Sequence, residues 1–208
     1  METFTVWQAI AAPFDESNID TNQLCPTRFN KVAKGPDYAP VLFHDFRFDA
    51  DDKEKPGFIL NTPPYRQAGI LVADRNFGCG SSRESAVYAL HAFGIRAVIA
   101  PSFGEIFQTN CFKNSVLPVV LDDTTCDLLR RQLHEHVGAQ LTVDLERQLV
   151  VDVAGAEHAF TVHPLRRRCL LEGLDDVSMT RRYAAEMLAF EGAYHTQFPW
   201  LVGAPVAS

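Results

Sequence analysis

A strand-like run, Gly69-Ile70-Leu71-Val72-Ala73, leads through the glycine-rich turn Asn76-Phe77-Gly78-Cys79-Gly80-Ser81-Ser82-Arg83-Glu84 into a helix-patterned stretch over 82–93. No other feature of the chain restricts the fold as much. A strand, a tight turn and a helix start gather several backbone N–H groups at one spot, and the helix dipole adds partial positive charge there. The hydroxyls of Ser81 and Ser82 and the guanidinium of Arg83 then stand at the rim. Such a pocket suits a carboxylate and chemistry that builds negative charge.

The alternation continues downstream. Residues 97–100 read as a second strand, 103–112 as a second helix and 116–121 as a third strand. Residues 124–135 carry a helical pattern opened by Asp123 as N-cap, with Leu128, Leu129 and Leu133 on one stripe. This predicts an α/β layered arrangement over 69–135 with a largely parallel, buried sheet. After Gly138, short alternating segments at 141–143, 148–153 and 158–162 predict an antiparallel meander. Residues 3–11 read as a first strand. The segments 164–182 and 183–191 read as a helical tail, with Pro164 at its start and Gly173 interrupting it. From Pro13 to Lys55 the chain is irregular, with Pro26, Gly35, Pro36, Pro40 and the acids Asp49, Asp51 and Asp52. A stretch of that length is functional or hides short elements, and the functional reading is taken here.

At 208 residues, 47% hydrophobic and 22% charged, the chain suits one globular domain over 1–163 with a helical C-terminal extension over 164–208 packed on it. The net charge of −7 argues against nucleic acid or an acidic membrane as partner. An anionic substrate then needs a local cationic focus, which Arg75 and Arg83 could supply. No run approaches the length of a membrane span, and Met1-Glu2-Thr3-Phe4 lacks the layout of a signal peptide, so a cytoplasmic address is expected. The five cysteines, Cys25, Cys79, Cys111, Cys126 and Cys169, are widely spaced with no C-x-x-C pair. Neither a disulfide framework nor a complete zinc or iron–sulfur site within this chain is expected, and no metal ligand is assigned. Cys79 reads as a small packing residue of the turn.

Taken without any relative, the glycine turn admits more than one reading. It is either an anion site or a tight structural turn in which Ser81 caps the following helix and pairs with Glu84 as a capping box. A P-loop is excluded because no Lys follows the glycines, and the dinucleotide fingerprint fails at Arg83. A serine hydrolase is disfavoured, since the turn is not G-x-S-x-G. His91, His134 and His136 read as surface or helix-end residues, and Arg166-Arg167-Arg168 as a solvated face or an acidic partner's contact.

The motif Gly80-Ser81-Ser82-Arg83-Glu84 after Asn76-Phe77-Gly78 resembles the signature of the swivelling domain of the aconitase superfamily. Asn18-Ile19-Asp20-Thr21-Asn22 with Pro26, and Leu42-Phe43-His44-Asp45-Phe46-Arg47-Phe48, are similar to the 3-isopropylmalate dehydratase small subunits of that superfamily. So are Ala100-Pro101-Ser102-Phe103 with Ile106-Phe107 and Asn110, Leu117-Pro118, and Leu171-Glu172-Gly173-Leu174-Asp175. The resemblance covers nearly the whole chain in order.

The resemblance implies a swivelling β/β/α three-layer domain that completes the active site of a larger partner. That large subunit would hold a 4Fe–4S cluster through its own cysteines, with none bound by this chain. The implied reaction removes water from a di- or tricarboxylate hydroxy acid and adds it back at the neighbouring carbon, converting 2-isopropylmalate to 3-isopropylmalate in leucine biosynthesis. Ser81 would be the base, and Ser82 and Arg83 would bind a substrate carboxylate, Arg83 by a forked pair of hydrogen bonds. The backbone of Gly78, Cys79 and Gly80 would form the anion site. The early loop would set specificity, with Asn22, Arg28, Lys31 and Lys34 as substrate contacts. The family usually carries an acid where this chain has Asn22, and often His where it has Ser85. A related acid such as another substituted malate, citraconate or homocitrate is therefore an alternative substrate, and a non-catalytic carboxylate- or phosphate-binding module an alternative of another class.

Overall fold

A computed structural model, which describes residues 1–80 and 83–201, shows the apolar runs after residue 69 as strands buried on both faces. The first strand, β1 (Val6–Pro13), is followed by two short helices, α1 (Thr21–Leu24) and α2 (His44–Arg47). Then come β2 (Ile70–Val72), α3 (Glu84–Phe93), β3 (Ala97–Ala100), α4 (Glu105–Lys113), β4 (Leu117–Val120) and α5 (Asp123–Glu135). The strands β5 (Gln140–Asp144), β6 (Leu149–Val151) and β7 (Glu157–Ala159) follow, and α6 (Pro164–Glu172) ends the first of two compact units, Met1–Gly173.

The seven strands of the described residues form one sheet in the order β4-β3-β2-β1-β5-β6-β7. β1 joins its two halves. It pairs parallel with β2 through Ala11–Ile70 and antiparallel with β5 through Ala9–Leu141. The remaining pairs are parallel from β2 to β4 and antiparallel from β5 to β7, as the change of pattern at Gly138 predicts.

Because side chains alternate across a strand, the parallel half serves two cores. Leu71, Ala73, Val98 and Ala100 face α3 and α4 through Ala86, Leu90, Phe107 and Cys111. Ile70, Val72, Ala97 and Ile99 face the other way. There they meet Leu129 and Leu133 of α5 together with Leu141, Val143 and Val150 of the antiparallel half. The sheet thus curls back on itself around the second core, giving the three layers helix, parallel sheet and antiparallel sheet.

Two helix starts differ from the sequence reading. α3 opens at Glu84 with Arg83 at its N-cap, and α5 is capped by Asp122, whose carboxylate accepts from Thr125 N, with Asp123 already helical. The long segment before β2 is built of the two short helices and four 3₁₀ turns. α6 ends where Gly173 takes a left-handed conformation, φ 67°.

The second unit begins at Leu174 and carries α7 (Asp176–Arg181), α8 (Ala184–Gln197) and a 3₁₀ turn over Pro199–Leu201. Asp175 caps α7 by accepting from Ser178 N at 2.7 Å. Phe190, Tyr194 and Phe198 form a run of ring contacts along α8, with centroids 5.6 and 4.9 Å apart.

Candidate functional site

The glycine turn leaves β2 at the carboxyl end of the parallel strands, where open α/β sheets bind their ligands. Backbone bonds hold it from both sides. Phe77 N donates to Ser102 O at 3.0 Å and Gly104 N to Phe77 O at 2.9 Å. On the other flank, Gly78 N and Cys79 N both donate to Ile19 O, at 2.7 and 3.1 Å, and Thr21 N donates to Cys79 O at 3.1 Å. Asn76 ties in through Nδ2 to Asn18 Oδ1, 2.8 Å.

Two of the expected anion donors are therefore corrected. The amides of Gly78 and Cys79 point at the Ile19 carbonyl and are not free for a ligand. Gly80 N–H has no acceptor among the described residues. The glycine at 78 answers to packing: its φ is +71°, and a Cβ there would overlap the Phe107 ring. Gly104 likewise lets its backbone approach the Gly78 carbonyl. Ser81 and Ser82 lie outside the described residues. Glu84 takes the first helical position, so it does not hold the capping-box position three after the cap. Its carboxylate instead accepts from Tyr88 Oη at 2.7 Å and Asn114 Nδ2 at 3.3 Å.

Arg83 is brought together with the early loop. Its Nη1 donates to Asn22 Oδ1 at 3.0 Å and to Thr27 Oγ1 at 2.6 Å, while Thr27 Oγ1 donates to Asn22 Oδ1 at 2.9 Å. No carboxylate pairs with Arg83 among the described residues. The nearby Asp20 carboxylate accepts from the amides of Asn22 and Gln23, capping α1, and Gln23 returns the bond in a complete capping box. Two residues on, the Ser85 hydroxyl is buried and donates to Asn30 Oδ1 at 3.0 Å. The loop over 20–35 and the head of α3 are thus cross-linked at Arg83 and again at Ser85.

The other predicted cations are not gathered with Arg83. Arg28 pairs with Asp45 through both terminal nitrogens and lies over the Phe29 ring at 4.7 Å. Its hydrogen bond holds the Asp45 carboxyl below the ordinary range. Lys34 Nζ donates to Asn114 Oδ1 at 2.8 Å and sits 4.5 Å over the Tyr88 ring, facing α3 rather than the turn. Lys31 is exposed, and none of the described residues pairs with it. Arg75, expected as a second focus of positive charge, pairs with Asp123 at 3.2 Å.

Thr27 is the contact that sequence reasoning missed. Its bond to Arg83 spans 56 residues, so no local pattern announces it. His91 is half-buried, which lowers its pKa, and pairs with Glu2 at 3.4 Å, apart from the turn. His134 pairs with Asp15 at 2.8 Å.

The thiols do not suit a cluster. Cys25, Cys111 and Cys126 are buried, and burial raises each of them, Cys111 well above and Cys126 to about 12. Among the described residues no group of three or more His, Cys, Asp or Glu could hold a metal ion. No helix among them is long and apolar enough to cross a membrane.

Comparison with known proteins gives the site a family. Residues 1–124 match a model described as the aconitase C-terminal domain, and 127–164 match one described as LeuD_N. A 3-isopropylmalate dehydratase small subunit from Gluconacetobacter diazotrophicus is 50% identical over 200 residues, covering 96% of this chain and 97% of the relative. One from Delftia acidovorans is 43% identical over 210 residues, covering 97% of both. A solved structure of 3-isopropylmalate dehydratase from Methanocaldococcus jannaschii superposes with a TM-score of 0.62 at 24% identity, covering 88% of this chain and 99% of that one, and shares the fold. A glycine turn held between two loops, an arginine at the following helix head and relatives matched from end to end agree: the chain belongs to the family of 3-isopropylmalate dehydratase small subunits.

Proposed function

We propose that the chain is the small subunit of a hydro-lyase that interconverts 2-isopropylmalate and 3-isopropylmalate by dehydration and rehydration, in leucine biosynthesis. One observation carries the reading beyond the family. Arg83 is held at the head of α3 by two neutral oxygens, with no carboxylate beside it among the described residues. A guanidinium oriented in this way suits a forked grip on a substrate carboxylate.

In this reading Ser82 shares that carboxylate and Ser81 removes the proton alpha to it. A serine alkoxide needs stabilisation, which the Arg83 charge, the Gly80 amide and the α3 dipole can give. Losing one preorganised donor of this kind costs about 3–4 kcal/mol at the transition state. The Gly78 and Cys79 amides take no part. Of the three loop cations, Lys31 is the one with no partner among the described residues, and the distal group of the substrate falls to it.

The partner is a large subunit bearing a 4Fe–4S cluster, and no group of ligands for one is found among the described residues of this chain. The pair works in the cytoplasm, and the net charge of −7 supports neither nucleic acid nor an acidic membrane as a further partner. A neutral Asn22 beside Arg83 favours a second substrate reading, another substituted malate, citraconate or homocitrate.

The test is turnover by the chain mixed with a large subunit. We expect no activity from the isolated chain and the highest kcat/KM on 3-isopropylmalate. A higher kcat/KM on citraconate or homocitrate would move the assignment to that acid. Failure to form any active pair would overturn it.

A further inference from the structure

We propose that Lys34 and Asn114 are positioning residues that latch the far end of the early loop to α3 and α4, and so set where the segment carrying Lys31 stands relative to Arg83. The inference rests on the reading of Lys31 as the contact for the distal group of the substrate, and names what holds that residue in place.

Asn114 is the joint. It lies buried at the end of α4, and both ends of its side-chain amide are used. Nδ2 donates to Asn110 O at 2.9 Å and to Glu84 Oε1 at 3.3 Å, and Oδ1 accepts from Lys34 Nζ at 2.8 Å. Glu84 is the residue after Arg83, so one amide ties the loop to the head of the helix that carries the carboxylate grip. The second carboxylate oxygen of Glu84 accepts from Tyr88 Oη at 2.7 Å.

The same tyrosine holds the loop by its ring. Lys34 Nζ sits 4.5 Å above the Tyr88 centroid, and the buried Tyr38 meets that ring edge to face at 5.8 Å. A ring face and an amide oxygen stabilise the ammonium without neutralising it.

Upstream, a second post stands at Asn30, whose Oδ1 accepts from Ser85 Oγ of α3 at 3.0 Å. The residues between the posts, Lys31, Val32 and Ala33, form an arch. Lys31 is exposed, and none of the described residues pairs with it. Its side chain therefore takes its place from the backbone of the arch. With both posts engaged, that backbone is ordered on folding; with one released, the ordering falls on substrate binding. The proton transfer assigned to Ser81 is untouched, so the effect belongs in KM.

The experiment is steady-state kinetics of the reconstituted pair on 3-isopropylmalate with Lys34→Met, Lys34→Arg, Asn114→Ala and Lys31→Met. Lys34 is exposed, and methionine keeps an apolar stem over Tyr88, so Lys34→Met leaves the core intact. It should raise KM about three- to tenfold, with kcat within about twofold of the original. Lys34→Arg, which can donate to Asn114 and lie over the ring, should restore KM. Asn114→Ala should raise KM at least as far in a chain that still pairs with the large subunit. In the Lys31→Met background, Lys34→Met should add nothing further, because it acts through Lys31. A multiplied effect in that double variant would mean that Lys34 meets the substrate itself and would overturn the inference. So would an unaltered KM in Lys34→Met while Lys31→Met raises it. An unaltered KM in Lys31→Met would instead overturn the assignment of Lys31 itself.

Discussion

The ring of Phe107 occupies the space that a Cβ on Gly78 would need. Phe77 and Phe107 lie edge to face with centroids 5.7 Å apart, both fully buried, so the turn passes directly over a packed aromatic cluster. The carbonyl of Gly78 is in turn approached by the backbone of Gly104.

Gly78→Ala therefore combines a left-handed backbone with overpacking and should destabilise the chain by about 2–5 kcal/mol. Thermal unfolding should register a fall in Tm of roughly 5–15 °C. Phe107→Leu on top of it should recover part of the loss by opening the overlapped space. An unaltered Tm in the single variant would show that the turn relaxes freely, contrary to the packing described.

Ser85 stands where many relatives of this motif are expected to carry histidine. Here its hydroxyl is buried and donates to Asn30 Oδ1 at 3.0 Å beneath the early loop. Ser85→His should overfill that contact and cost about 1–3 kcal/mol. Ser85→Ala should cost about 1 kcal/mol through the lost hydrogen bond. Chemical denaturation of the two variants separates these values, and a neutral histidine would mean that the loop over 20–35 is not seated on α3 as found.

Arg28 offers the opposite case, a cation already paired. Its guanidinium grips Asp45, both side chains being more than half exposed. Arg28→Ala should leave KM for 3-isopropylmalate within about twofold of the original, and stability nearly unmoved, as exposed pairs contribute little. A large rise in KM would return Arg28 to the substrate site.

Asp152 ties the hairpin of β6 and β7 to α5. Its Oδ1 accepts from the amides of Ala154 and Ala156 at 2.9 and 2.8 Å, and its Oδ2 meets Gln132 and His158 at 3.0 and 3.1 Å. Burial pushes the carboxyl up, but the hydrogen bonds from His158, Gln132 and the two amides outweigh it and bring it below its ordinary 3.8. The folded-state value is then lower than the unfolded one. The stability this group confers is present above the unfolded value and is lost as pH falls through the folded one. Asp152→Ala should cost about 2–4 kcal/mol at neutral pH, and the gap between variant and original should narrow below pH 3.8. A gap independent of pH would argue for a purely steric role.

Much of this architecture is legible in the sequence because it is local. The strand at 97–100 appears with the same bounds, and the change from parallel to antiparallel pairing falls where the apolar pattern alters after Gly138. What the sequence conceals is non-local. β1 reads as one more strand, yet its pairing with both β2 and β5 organises the whole sheet. The turn's glycines suggest a cradle of free amides, whereas Ile19, some 60 residues earlier, supplies the acceptor for two of them. Arg83 is recognisable from its motif, but Thr27 is not. A threonine after a proline carries no mark of an arginine that folding alone brings to it. Asp122 displaces Asp123 as the cap of α5 because two adjacent acids serve equally well by composition, and only backbone angles choose between them.

The most direct trial of the whole account is the Ser81→Ala chain, combined with a large subunit and assayed on 3-isopropylmalate. Turnover should fall by about 10²–10⁴-fold, the contribution usual for a positioned base, while size-exclusion chromatography still finds the pair assembled. Full activity in that assembled pair would contradict the claim that this turn carries the proton-removing group.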